Sequence, residues 1–158
     1  MSRTALYARL VPPQATVIYD DDCGFCRWTL AVLLDADHGA LRPLPLGTPE
    51  ADYLLAELTP EERGASWHLI IDPPGPEQLS FDAGPVRFSA GAAFAPALSH
   101  LPRGRRFAAL VARIPGPTEG GYRWVAGHRG LLGRFVPGPA RRWADRVIAA
   151  HGGPARPQ

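Results

Sequence analysis

Two cysteines three residues apart, directly behind a β-branched run, constrain this chain more than any other feature. Both of its cysteines lie in Tyr19-Asp20-Asp21-Asp22-Cys23-Gly24-Phe25-Cys26. Thr16-Val17-Ile18-Tyr19 suits a buried strand, and from Phe25 to Leu34 the apolar residues recur too densely for an exposed loop. The pair therefore sits where a strand passes into a helix. There, unpaired N–H groups and the positive end of the helix dipole favour a thiolate at Cys23, and the spacing sets Cys26 one turn further along the same face. A reversible intramolecular disulfide needs that geometry. The plainer readings are two structural thiols or half of a zinc site. Zinc would need further ligands from His38, His68, His100 or His128, none of which is paired at ligand spacing.

At 158 residues, 46% of them hydrophobic, the chain is long enough for one domain with a real core and needs no disulfide stapling. Placing both cysteines in one C-x-x-C argues against a secreted disulfide framework and for redox or metal chemistry in a reducing compartment. Met1 to Val11 has no sustained apolar segment, and no stretch approaches the ~18 apolar residues of a membrane span, so the expectation is a soluble, cytoplasmic protein. Charge divides unevenly: residues 1–82 carry 13 acids and 5 Arg (net −8), residues 83–158 carry 2 acids and 12 Arg (net +10). The halves are expected to neutralise each other. An adaptor using the basic half to bind an acidic partner is the rival, whereas arginines without interleaved stacking aromatics give little support for nucleic acid.

Taken in order, residues 1–15 read as a loose arm. A helix follows the cysteine motif to about Asp37, apolar on most faces and hence central. Leu41-Arg42-Pro43-Leu44 is a short strand kept at an edge by its proline. Thr48-Pro49-Glu50 opens a helix running to Leu58 and stopping before Pro60. Trp67–Ile71 is a strand with His68 as a packed core histidine, Asp72–Pro76 a turn, and Gln78–Phe81 with Val86–Phe88 hairpin candidates. Ser89 is expected to cap a helix through Leu98 that Pro96 kinks or breaks, and Phe107–Arg113 makes another short one. A helical hairpin of Thr118–Ala126 and Arg129–Phe135 and a last helix over Pro139–Ala150 complete a single domain over residues 16–150, with a disordered tail over 151–158.

The run Tyr19, Asp20, Asp22, Cys23 and Cys26 resembles the signature of the DCC-type thiol-disulfide oxidoreductases, a thioredoxin-like family. Trp67–Asp72 is similar to that family's central strand, Ser89–Ala93 to its following helix start, and Tyr122–Arg134, with Arg129, Gly133 and Arg134, to its arginine-bearing C-terminal segment. The resemblance spans roughly residues 16–135. It implies an α/β, thioredoxin-like mixed sheet flanked by helices, here with a C-terminal helical extension. This agrees with the β-α-β-α-β-β order read from the residues. No proline precedes the third strand in Gly64-Ala65-Ser66-Trp67, where thioredoxin-like sites usually carry one opposite the nucleophile.

For dithiol exchange, Cys23 is the exposed attacking thiolate, and Cys26, carried inward beside Phe25 and Trp28, resolves the mixed disulfide. Asp22, which abuts the nucleophile, is the first choice as proton acceptor for Cys26 and Asp20 the second. Arg27 is expected to offset these carboxylates, leaving Cys23 with a pKa of ~7 rather than the ~3.5 of a strong oxidase. Arg129, matching the family's C-terminal arginine, is expected either at the active-site edge or satisfied by a helix C-terminus. The function expected is a thiol-disulfide oxidoreductase of the protein-disulfide reductase type. It would take a disulfide-containing protein or a small thiol compound and regain electrons from an unidentified donor. No dissociable cofactor is implied. The alternative is a non-catalytic metal-binding or partner-binding module.

Overall fold

The computed structural model describes residues 15–37, 39–71, 85–101 and 103–155. The expected arm before Ala15, the Asp72–Pro76 turn and the Gln78–Phe81 strand lie outside the described residues, as does the histidine at 38. Strand β1 (Ala15–Tyr19) is buried at all five positions and is the centre of a four-stranded sheet in the order β2-β1-β3-β4. β2 (Leu41–Pro45) runs parallel to β1, with Ala15 opposite Leu41 and Val17 opposite Pro43. β3 (His68–Ile71) runs antiparallel to β1, and β4 (Val86–Ser89) antiparallel to β3. The prolines of β2 are tolerated because the strand is an edge.

Alternation along β1 divides the core into two layers, since successive side chains point to opposite faces. Val17 and Tyr19 join Leu30, Leu34, Leu69, Ala97 and Ile148 on one face, whereas Ile18 joins Leu44, Ala51, Leu55 and Ile70 on the other. Helix α1 (Gly24–Ala36) covers the first face through Arg27, Leu30, Ala31 and Leu34, one stripe at helical spacing. The architecture is therefore the expected mixed α/β sheet flanked by helices, with a helical C-terminal extension.

Several element boundaries differ from expectation. The helix expected to reach Leu58 ends at Leu54 as α2 (Pro49–Leu54), and Pro60, read as a stop, begins α3 (Pro60–Ala65). Thr59 and Glu62 form a reciprocal capping box there, and a proline at the first helical position forfeits no hydrogen bond. Ser89 caps no helix: its hydroxyl meets His68 Nδ1 at 2.8 Å, and a 3-10 turn (Ala90–Ala93) leads to α4 (Phe94–His100). Pro96 neither kinks nor breaks α4, because it lies in the first turn, where backbone N–H groups lack partners in any case.

After α5 (Arg105–Ala112), the expected hairpin is instead one helix, α6 (Pro115–Arg134), despite its six glycines. Packing overrides propensity here. Glu119 Oε2 accepts the Gly91 N–H at 3.0 Å, so close that a Cβ on Gly91 would strike the Glu119 backbone at 2.8 Å. Helix α7 (Gly138–Ala150) packs on α1, and just beyond it the Gly153 N–H bonds Ile148 O at 2.9 Å. Among the described residues no helix is long and apolar enough to cross a membrane.

Candidate active site

The turn between β1 and α1 sorts its acids by geometry. Asp20 Oδ1 accepts the Asp22 N–H at 3.0 Å, closing an Asx turn that brings the chain round to the helix start. Cys23 is the N-cap of α1, in extended conformation, and its Sγ accepts the Cys26 N–H at 3.2 Å. Cys23 and Cys26 form a disulfide with Cα atoms 5.2 Å apart. A carboxylate oxygen of Asp20 and both sulfurs lie within 4.8 Å of one another. Asp22, the first choice from sequence, is exposed and lines the cleft on the Cys23 side. Asp21 turns the other way, accepting from the Tyr19 hydroxyl at 2.9 Å and from Arg27 Nη1.

Of the three acids, Arg27 pairs with Asp21. Its side chain is 3% exposed, and its Nε and Nη2 reach Asp145 Oδ1 at 2.9 and 2.7 Å, tying α1 to α7. Burial pulls its pKa down, but the Asp145 hydrogen bonds and the Asp21 charge outweigh that and raise it, so the group stays charged. The arginine close to Asp20 is Arg129. Projecting from α6, it donates to Gly64 O at 3.1 Å and lies 3.9 Å from Asp20 Oδ2.

The disulfide stands between two clefts that share Asp20 and Arg129. Cys26 lines an apolar cleft of about 680 Å³ with Phe25, Trp67, Phe94 and Tyr122; Cys23 lines a charged one of about 420 Å³ with Arg134 and Arg141. Cys23 and Cys26 are both partly buried, and what distinguishes them is the cleft that each lines. Trp67 and Phe94 meet edge-on at 5.2 Å, Phe94 and Tyr122 at 6.0 Å, and the Trp67 N–H donates to the Tyr122 hydroxyl at 3.1 Å. Burial pushes the Tyr122 phenol up, so it stays a neutral wall of the cleft at ordinary pH.

The apolar cleft and Arg141 are absent from the sequence reading. The one signal for the cleft is that Tyr122, Val125 and Arg129 recur at helical spacing on one face of α6. His68 is fully buried between Ser89 and the Arg63 carbonyl, so it is the packed core histidine expected. Asp20, Cys23 and Cys26 are the one group of three candidate metal ligands that converge among the described residues. In the disulfide both sulfurs are withdrawn from coordination, and structural zinc sites take four ligands.

Neither a curated protein nor a solved structure gives a significant match. A family model described as DCC1-like thiol-disulfide oxidoreductase matches residues 17–135, from β1 to the residue after α6. That span is well over half of the 158 residues and includes the cysteine pair, Asp20 and Arg129. The chain belongs to the DCC1-like thiol-disulfide oxidoreductase family.

Proposed function

We propose that the Cys23–Cys26 pair works in the reducing direction, on the disulfide of a protein or of a small thiol compound. The observation that carries this is the convergence of Asp20 with both sulfurs at the start of α1. The Cys23 thiolate attacks one sulfur of the substrate disulfide; a new S–S bond forms, the substrate's own breaks, and one substrate thiolate leaves. Cys26 then gives its proton to Asp20 and attacks Cys23 Sγ, releasing the second substrate thiolate. Two electrons pass to the substrate, and a dithiol donor restores the pair by the reverse exchange.

The direction follows from charge. A dithiol is strongly oxidising when its reduced form is stabilised. Here the Cys26 N–H and the helix terminus favour the Cys23 thiolate, whereas Asp20 disfavours it and Arg27 is committed to Asp21 and Asp145. The β-α-β-α-α-β-β order of the core and its mixed sheet support a thioredoxin-like scaffold for this chemistry. Confinement of both cysteines to one pair supports a reducing compartment, the cytoplasm.

Equilibration in dithiol redox buffers, followed by intact mass, tests the proposal. The two-dalton change should have a midpoint nearer the about −270 mV of thioredoxin than the about −120 mV of a strong oxidase. A midpoint above about −180 mV, where a protein disulfide isomerase sits, contradicts the reducing direction.

A further inference from the structure

The two clefts differ in chemistry yet flank one disulfide. The apolar cleft lies within the range of small-molecule sites, ~300–1,000 Å³, and at about 680 Å³ is larger than one side chain of a docked peptide. Gly121 helps to keep it open. It lines the cleft from the middle of α6, where glycine weakens a helix, and no atom lies within 4 Å of where its Cβ would stand. Packing therefore does not require glycine there, whereas a larger side chain would occupy the cleft.

The charged cleft carries three guanidinium groups against the carboxylates of Asp20 and Asp22. Asp20 faces Arg129. Among the described residues neither Arg134 nor Arg141 is paired with a carboxylate. Arg141 is held in place by its bonds to Val136 O at 3.0 Å and Gly133 O at 2.7 Å, which fix the group without cancelling its charge. Fixed, unneutralised guanidinium beside a nucleophile is suited to a carboxylate or phosphate.

We infer that the substrate is a small amphipathic disulfide whose apolar body fills the Cys26 cleft and whose anionic group meets Arg134 and Arg141 beside Cys23. This rests on the reducing reading above. Cys23 attacks the substrate sulfur lying between the two clefts, the substrate S–S bond breaks, and both halves leave as thiolates once Cys26 has closed the protein disulfide.

Three probes separate the elements: dithiobis(nitrobenzoate), aromatic and anionic; dithiobis(nitropyridine), aromatic and neutral; and hydroxyethyl disulfide, which has neither feature. Rates with the reduced protein are divided by those with free mercaptoethanol to remove intrinsic reactivity. The normalised order should be anionic aromatic, then neutral aromatic, then hydroxyethyl, with saturation for the first. Arg134→Gln combined with Arg141→Gln should lower the anionic-to-neutral ratio about tenfold, the size of one charge-assisted hydrogen bond. Gly121→Leu should lower the aromatic-to-hydroxyethyl ratio instead. Equal normalised rates in the unmodified protein, or faster turnover of insulin disulfides than of the anionic probe, overturn the inference while leaving the reducing reading intact. No reaction with any probe overturns both.

Discussion

Asp20, Asp21 and Asp22 are chemically identical and adjacent, yet the turn after β1 sends them to different neighbours. Asp20 lies beside the sulfurs, Asp21 bonds Tyr19 and Arg27, and Asp22 is exposed at the rim of the charged cleft. Sequence reasoning ranks Asp22 first because it is bonded to Cys23 in the chain. Covalent adjacency does not bring side chains together, whereas the Asx turn folds Asp20, three residues back, beside the pair. Asp20→Asn should therefore lower the thiol pKa of Cys23 by about 1 unit, by removing a nearby negative charge. It should also slow release of the mixed disulfide by removing the proton acceptor. Thiolate absorbance against pH and stopped-flow release kinetics check the two effects. A larger change in both from Asp22→Asn would assign the role to the other carboxylate.

Among the elements, α1 begins at the cysteine pair, and the Arg27 bridge to Asp145 fixes it against α7. Removing one partner of a buried ion pair leaves the other uncompensated, at a cost of about 3–5 kcal/mol when both are buried. Asp21 and Asp145 keep 26% and 32% of their side-chain exposure, so Arg27→Met should lie near the lower end, about 3 kcal/mol by urea unfolding. No measurable loss would mean that the bridge contributes nothing net. Thr59→Ala, which removes the capping box of α3, should cost about 1 kcal/mol. That box was legible in Thr59-Pro60-Glu61-Glu62, which repeats the grammar of Thr48-Pro49-Glu50, but a proline read only as a breaker conceals it. The continuity of α6 was not legible, because local glycine content argues for a break, and what opposes it is packing on α1 and on the turn at Gly91, far away in sequence.

In the molecule as a whole, the acidic N-terminal and basic C-terminal halves meet through Asp20–Arg129, Glu57–Arg87 and Arg27–Asp145. The buried first strand and the central helix after it were legible in the β-branched run 16–19 and the dense apolar residues of 25–34, whereas the order of strands within the sheet rests on pairings between distant segments. The apolar cleft was not legible either, since α1, α4 and α6 build it together. Acid stability reports on this core. Burial holds His68 below its ordinary value; the Arg63 carbonyl opposes that shift and Arg87 adds to it. The folded pKa thus lies below the unfolded one, so as pH falls below about 6.5 the unfolded chain takes up a proton that the folded chain refuses. Stability should be level above that pH and decline below it. His68→Gln should flatten the decline, leaving the share from His100, which burial also holds low against the opposing Asp37 charge. An unchanged slope would mean that His68 is protonated in place.

The mechanism proposed for the pair requires that one cysteine attack and the other resolve. Cys23 faces the charged cleft and its sulfur accepts the Cys26 N–H, which stabilises a thiolate there, whereas Cys26 faces the apolar cleft. The most direct measurement is intact mass of the two single-cysteine variants after brief exposure to oxidised glutathione. Cys26→Ser should carry one glutathionyl group that dithiothreitol removes, and Cys23→Ser should remain nearly bare. Equal adducts on the two variants, or the greater yield on Cys23→Ser, would contradict the account.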